Sequence, residues 1–423
     1  MLDVATFAPG PLRGEVVVPG DKSISHRALI AAAHIAAPSR IRNLNPGRDV
    51  RATSEALGLL GVAVRRDGGD VTVTGGRLRE PETTLDCMNS GSTARMLLGL
   101  CCGANVPARF DGDVSLRRRP MEPLAAQLRA FGAKIETTDG RLPLQLLGTP
   151  AIETRNFILL SPSAQVKSAL LFAALFSGVA ITISGDRGSR DHTERLLRYL
   201  GAEIRWDGQT IVLQNGVVGS RPLDVPGDFS SGAFFMTAAA ITPGSRLVIR
   251  DLGINPTRTG LLDALRAMGS EITTQNEHLR CGEPVADVAV SYAPLTGVSF
   301  GAELALRAID EIPLLAIAGA CADGETTIHG VADLRTKESD RLASLEGLLR
   351  LADITVSMTR DGFIVRGGRP ISPSRTVETH GDHRIAMAAA VLACVAGPVT
   401  IDDRLCVDVS FPSFTESLAR LRA

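Results

Sequence analysis

The chain has 423 residues, 44% hydrophobic and 22% charged, which excludes a disordered or fibrous protein and leaves room for two or more hydrophobic cores. Forty-five basic residues against forty-six acidic ones give a formal net charge of −1. That balance excludes the broad basic surplus of a nucleic-acid-wrapping surface, so any anion site must be assembled locally.

One pattern recurs six times: a strand, a short polar turn, an Ala/Leu-rich helix, a strand, a second helix and a hairpin. In chain order, DKSISHRALIAAAHIA predicts a helix over 21–36, RDVRATSEALGLLG a second over 48–61, and VAVRRDGGDVTVTG a hairpin over 62–75 turned at Asp-Gly. The second unit opens with NSGSTARMLLGLCCGA at 89–104 and continues with RPMEPLAAQLRAFG at 119–132. The third carries helices at 163–178 and 191–201 and the hairpin EIRWDGQTIVLQN at 203–215. First helices follow at 228–244, 310–324 and 381–397, and second helices at 258–269, 337–350 and 413–421. Most second helices show i, i+3, i+4 apolar spacing, and five have an acid in or near the first turn. No sixth hairpin follows, so the first strand of the chain is expected to complete the last unit.

The tetrapeptide Val18-Pro19-Gly20-Asp21 returns as Val225-Pro226-Gly227-Asp228, 207 residues later. The expected organisation is therefore α/β with two lobes of three units: a discontinuous first lobe, 1–20 plus 227–423, and a second lobe, 21–226. The seven cysteines are an odd count without CxxC or Cys/His ligand spacing, which fits a reduced cytoplasm and no metal site. The start MLDVATFAPGPLRGEVVV has no basic region or long apolar core, so no secretory signal is expected. The uncharged runs 168–185 and 385–401 are broken by Ser177-Gly178 and Gly397-Pro398, which argues against a membrane partner.

Polar residues without an obvious structural task gather at the helix starts: Lys22, Ser23 and Arg27; Asn89, Ser90, Gly91 and Arg95; Ser163, Gln165 and Lys167; Asp310 and Glu311; Asp382, His383 and Arg384. Arg117–Arg119, Arg190–His192 and Lys337–Arg341 open a second set. Helix N-termini carry unbonded N–H groups and the positive dipole end, so several converging on one place, with lysines and arginines added, suit a small polyanionic substrate. Each group also has a plainer reading. Ser23, Ser163 and Asp228 would serve as N-caps, Arg117–Arg119 as a solvated turn with at most one or two functional members, and His383 as a hydrogen-bonded structural histidine. Asp310-Glu311 before an all-apolar helix is either a cap or a general base beside arginines.

The segments PGDKSISHRA (19–28), NSGSTARML (89–97), RRRPMEPL (117–124), SAQVKSALL (163–171), SRDHTERLL (189–197), VPGDFSS (225–231), NPTRTG (255–260), RTKESDRL (335–342) and GDHRIAMA (381–388) resemble, in this order, the 5-enolpyruvylshikimate-3-phosphate synthase family. The resemblance implies a two-lobed inside-out α/β barrel of six βαβαββ units with the active site in the cleft between lobes. It also implies transfer of the enolpyruvyl group of phosphoenolpyruvate to the 5-hydroxyl of shikimate 3-phosphate, and inhibition by glyphosate. By motif, Lys22, Ser23, Arg27, Ser163, Ala164, Gln165, Arg190, Asp310 and Lys337 would bind shikimate 3-phosphate. Lys22, Gly91, Arg119, Arg341 and Arg384 would hold phosphoenolpyruvate. Asp310, Glu338 and Lys22 would be catalytic: Asp310 as base, Glu338 with Lys22 on the acid side. No metal or other cofactor and no nucleic-acid partner is implied, and a cytoplasmic monomer is expected. Two positions depart from the family: Val409 stands where many members have lysine before Phe-Pro, and Asp333 where many have asparagine. A related transferase acting on UDP-N-acetylglucosamine would carry a cysteine in the loop that is DGDVSLRRRP here (111–120), and asparagine in place of Ser23. A noncatalytic repeat scaffold would share the six units without concentrating charge at their helix starts.

Overall fold

The computed structural model describes residues 3–422. They fall into two compact units: the residues through Pro19 with Pro226–His278 and Pro284 onward, and Gly20–Val225 with Leu279–Glu283. The expected boundaries lie one residue further along at each joint, and residues 1, 2 and 423 of the expected first lobe lie outside the described residues. Leu279–Glu283, the tip between strands Glu271–Arg280 and Glu283–Ser291, was expected with the first lobe but groups with 20–225. There the Glu283 carboxylate lies 2.8 Å from His192 Nδ1, and Arg195 donates to the Gly282 carbonyl at 3.4 Å. Nothing in a hairpin's own pattern says which neighbour its tip meets.

All six repeats are present, three in each unit, and each repeat's first helix is its buried one. In the 20–225 unit these are Lys22–Ala33, Gly91–Gly103 and Ala164–Ser177. In the other unit they are Phe229–Ile241, Ile312–Ala320 and His383–Ala396, the first buried along its whole length. A helix apolar all round must be enclosed, so the sheets and the amphipathic second helices wrap it. Glycine makes the tightest of these packings possible. A Cβ at Gly99 or Gly103 would lie 2.2 Å from the carbonyl oxygens of Ala169 and Ala173, so these two glycines let helix 91–103 seat against helix 164–177.

Five sheets have four strands with the same order, in which a parallel edge pair is followed by an antiparallel hairpin. In one, Leu223–Asp224 pairs parallel with Ser39–Arg42, which runs antiparallel to Asp70–Thr74, itself paired with Ala63–Asp67. The sixth sheet is the exception. Val377 bridges Ile401 in parallel, and Ala5–Phe7 pairs antiparallel with Val399–Ile401, so the first strand completes the last repeat as expected. Each unit has its own hydrophobic core. Among the described residues no helix is long and apolar enough to cross a membrane.

Candidate functional site

The predicted site residues form a polar cluster in each unit, at the N-termini of the buried first helices and in the segments that lead into the second helices. In the 20–225 unit Asp21 caps helix 22–33 by accepting from Ile24 N at 2.8 Å, which aims Lys22 and Arg27 from the first turns. Lys22 Nζ pairs with Asp49 at 2.8 Å. The buried Arg27 guanidinium donates to Thr193 Oγ1 at 2.7 Å, Ser168 Oγ at 2.9 Å and the Ser23 carbonyl at 2.8 Å. Burial foremost, with Arg190 adding to it and Glu194 and Asp21 opposing, lowers its pKa to about 10, so it remains a cation at neutral pH.

Arg190 follows a clamped loop. The buried Lys167 ammonium meets Asp186 and Glu194 at 2.7 Å each and the Ser189 carbonyl at 3.2 Å. Ser163 accepts from Val166 N at 3.3 Å and so caps helix 164–177, as its plainer reading has it, while keeping its own proton to donate. Gln165, two residues on, accepts from Arg95 Nη1 at 2.8 Å and donates to Ser92 Oγ at 3.0 Å.

Ser90 caps helix 91–103, and Gly91 is its first residue, outside the left-handed region. A Cβ there would lie 2.5 Å from Arg95 Nη1 and 3.5 Å from Arg119 Nη1. Of the three consecutive arginines only Arg119 is buried, bonded to Asn89 Oδ1. Arg117 pairs with Asp111 at the surface, and Arg118 donates to the Val114 carbonyl.

In the other unit three buried guanidiniums converge on Asp310. Its carboxylate lies 3.3 Å from Arg258 Nη1, 3.6 Å from Arg341 Nη1 and 3.6 Å from Arg384 Nη2. Arg341 also reaches Glu338 and donates from Nε to Asp382 at 2.8 Å. Burial disfavours its charge, yet Asp382, Glu338 and Asp310 together raise its pKa. Lys337, half-buried, has its pKa lowered by burial first and by Arg341, against the pull of Asp310. Asp382 accepts from Arg384 N at 2.9 Å and so caps helix 383–396, which sets Arg384 in its first turn.

Asp228 accepts from Ser230 N and Ser231 N, so the cap reading holds for it. Ser230 and Arg258 of this second cluster, and Asp49, Thr193 and Ser168, which hold Lys22 and Arg27, are not among the predicted site residues, whereas Asp382 is predicted as one of the polar residues at a helix start. Ser230 and Arg258 sit inside two of the nine motifs, which is their only signal in the sequence. The partners of the Ser230 side chain are 28 to 154 residues away along the chain.

The family described as EPSP synthase (3-phosphoshikimate 1-carboxyvinyltransferase) matches residues 7–418. The chain is similar to the 3-phosphoshikimate 1-carboxyvinyltransferase of Gloeobacter violaceus, 45% identical over 97% of each chain. It is also similar to that of Roseiflexus castenholzii, 44% identical over 98% of this chain and 99% of the relative. Among solved structures, EPSP synthase from Acinetobacter baumannii matches with a TM-score of 0.87 at 37% identity, over 99% of this chain and 98% of that one. The enolpyruvyl transferase NikO from Streptomyces tendae, 20% identical with a TM-score of 0.77 over 99% of this chain and 97% of its own, shares the fold.

Proposed function

Because the chain belongs to the EPSP synthase family, an enolpyruvyl transferase of the shikimate pathway, we propose an assignment of its two polar clusters to the steps of that reaction. The reaction joins the 5-hydroxyl of shikimate 3-phosphate to the enolpyruvyl carbon of phosphoenolpyruvate and releases phosphate. The hydroxyl loses a proton as it attacks, the methylene carbon gains one, and the resulting tetrahedral intermediate expels phosphate as it returns a proton.

Lys22, Ser23, Arg27, Ser163, Ala164, Gln165, Arg190 and Lys337 bind shikimate 3-phosphate. The clamped loop before Arg190 and the three bonds on Arg27 support this, because a preorganised cation binds phosphate without first losing rotamer freedom. Lys22, Gly91, Arg119, Arg341 and Arg384 hold phosphoenolpyruvate. Asp310 touches shikimate 3-phosphate and takes the proton of its 5-hydroxyl, while Glu338 with Lys22 serves the acid side. The observation that carries the reading is the convergence of Arg258, Arg341 and Arg384 on the Asp310 carboxylate. It sets a proton acceptor directly beside cations assigned to the anionic partner. The same reading has the chain act as a cytoplasmic monomer without nucleic acid.

Asp310→Asn keeps the side-chain shape and removes the acceptor, so turnover should fall by roughly 10²–10⁴. Phosphate release is measured with both substrates and with each alone. Near-normal turnover in the variant would remove Asp310 from the base role, and release from phosphoenolpyruvate alone would contradict the transfer.

A further inference from the structure

The segment Val225–Ser231 opens the fully buried helix Phe229–Ile241, and its capping is done by Asp228, which accepts from Ser230 N at 2.7 Å and Ser231 N at 3.4 Å. The Ser230 hydroxyl, in a site only 5% exposed, therefore has no part in the cap. It accepts from Arg258 Nη2 at 2.5 Å and from Arg384 Nη1 at 3.1 Å, and donates to Glu311 Oε1. A hydroxyl offers one proton and two lone pairs, and here all three are used. Guanidinium groups only donate and a carboxylate only accepts, so the proton must point at Glu311 and both lone pairs at the arginines.

Glu311 itself is fully buried and stands 3.7 Å from Arg258 Nη1 and 3.8 Å from Arg384 Nη1. A buried carboxylate needs such partners, and its position beside them keeps the hydroxyl proton from turning toward the cations. Arg384 Nη1 is also shared with the Asp310 carbonyl at 3.0 Å, so two acceptors fix the plane of this guanidinium.

We propose that Ser230, oriented by Glu311, is a positioning residue for phosphoenolpyruvate: it sets the guanidinium of Arg384 in the plane that receives the anion. The inference rests on the assignment of Arg384 to phosphoenolpyruvate made above. An arginine held in advance loses less freedom when the anion binds, so the node lowers the phosphoenolpyruvate requirement without touching either substrate.

The test is a double-mutant cycle of Ser230→Ala and Arg384→Ala in the full-length enzyme, read as KM for phosphoenolpyruvate at saturating shikimate 3-phosphate, kcat, shikimate 3-phosphate affinity by calorimetry, and Tm. Loss of one hydrogen bond to a charged group should raise the phosphoenolpyruvate KM of Ser230→Ala roughly tenfold. Its kcat should change by less than about threefold, with shikimate 3-phosphate affinity unchanged, because the node acts on ground-state positioning alone. In the Arg384→Ala background the Ser230→Ala effect should vanish, because its route is gone. Ser230→Cys keeps the volume but is a poor acceptor, and should match Ser230→Ala. A raised KM in Arg384→Ala with none in either Ser230 variant overturns the inference and leaves the assignment standing. Equal Ser230→Ala effects in both backgrounds, or a fall in shikimate 3-phosphate affinity and Tm in step with the KM change, also overturn it. An unchanged KM in Arg384→Ala overturns the assignment and the inference together.

Discussion

Gly91→Ala separates two readings of a glycine that the sequence leaves open, a turn residue and a pocket residue. Its backbone lies outside the left-handed region, so alanine is not strained there, and as the first residue of helix 91–103 it should even gain about 0.4–1 kcal/mol through the unfolded chain. The cost is steric. The new methyl would meet Arg95 Nη1 at 2.5 Å, well inside ordinary contact, and the far end of that flexible side chain must withdraw by about an ångström. The bond from Arg95 to Gln165 Oε1, now 2.8 Å, would then be strained or lost, while Gln165 keeps Ser92 Oγ at 3.0 Å. A charge-assisted bond is worth about 1.5–3 kcal/mol when buried, and at this half-buried site we take roughly half of that. That bond orients Gln165, assigned to shikimate 3-phosphate, so affinity for that substrate should fall roughly 3–10-fold, while the methyl itself, 3.5 Å from Arg119 Nη1, should raise the phosphoenolpyruvate KM by at least as much. Glyphosate, a longer anion in the same pocket, should lose more than phosphoenolpyruvate, and Tm should not fall. Steady-state kinetics with a glyphosate titration and a thermal melt decide the matter. A lowered Tm with equal losses for both anions would refute the reasoning and return Gly91 to the backbone.

Three further outcomes concern stability and reactivity. Lys167→Met leaves Asp186 and Glu194 buried without their cation, which should cost about 3–5 kcal/mol and lower Tm by roughly 6–20 °C. Adding Asp186→Asn and Glu194→Gln should recover most of the loss in a melt, and failure to recover would mean the triad is not the cause. His26 is fully buried, and burial first, then Lys22 and Arg27, hold its pKa well below 6.5. Its contribution is therefore complete above pH 6.5 and is lost as pH falls from there toward the folded value, by up to about 1.4 kcal/mol per pH unit. Denaturation curves between pH 7 and 5 should be flatter for His26→Asn than for the parent, and parallel curves would exclude His26 as the source. Burial raises the pKa of every one of the seven thiols, Cys321 and Cys406 to about 12, so an aromatic disulfide reagent at pH 8 should label the native protein slowly and the unfolded chain at all seven. Rapid labelling of one native cysteine would contradict that.

The repeat architecture was legible because each helix is either apolar all round or one-sided, and both patterns are local. Phe229–Ile241 contains no charged residue and could only be enclosed, and His192–Leu200 alternates its leucines with Glu194, Arg195 and Arg198. The cap reading of Ser163 was equally local. Three features were not local. Leu279–Glu283 joins the 20–225 unit through His192, 91 residues from Glu283. The roles of Arg117, Arg118 and Arg119 diverge only because the helix Val114–Arg118 ends between them, burying the last against Asn89. The partners of Asp310 come from positions 258, 341 and 384, and no spacing rule connects them.

The six buried helices begin at equivalent points of one repeat, so their first turns can be compared as six uses of a single position. Five begin with a side chain that caps its own helix: Asp21, Ser90, Ser163, Asp228 and Asp382 each accept from a backbone N–H in the first turn. Capping by a side-chain oxygen contributes about 0.5–2 kcal/mol, so its absence from a position that otherwise keeps it calls for a compensating use. The sixth, Glu311, makes no cap bond, and its side chain is one methylene longer than the aspartate that caps three of the others. That carboxylate instead accepts from Ser230 and stands beside Arg258 and Arg384. In the fourth repeat the cap is kept by Asp228, and this releases the hydroxyl two residues later for the same node. The one repeat that gives up its cap and the one that spares a hydroxyl thus meet at Arg384. A purely structural repeat would have no reason to break its own rule where three arginines gather.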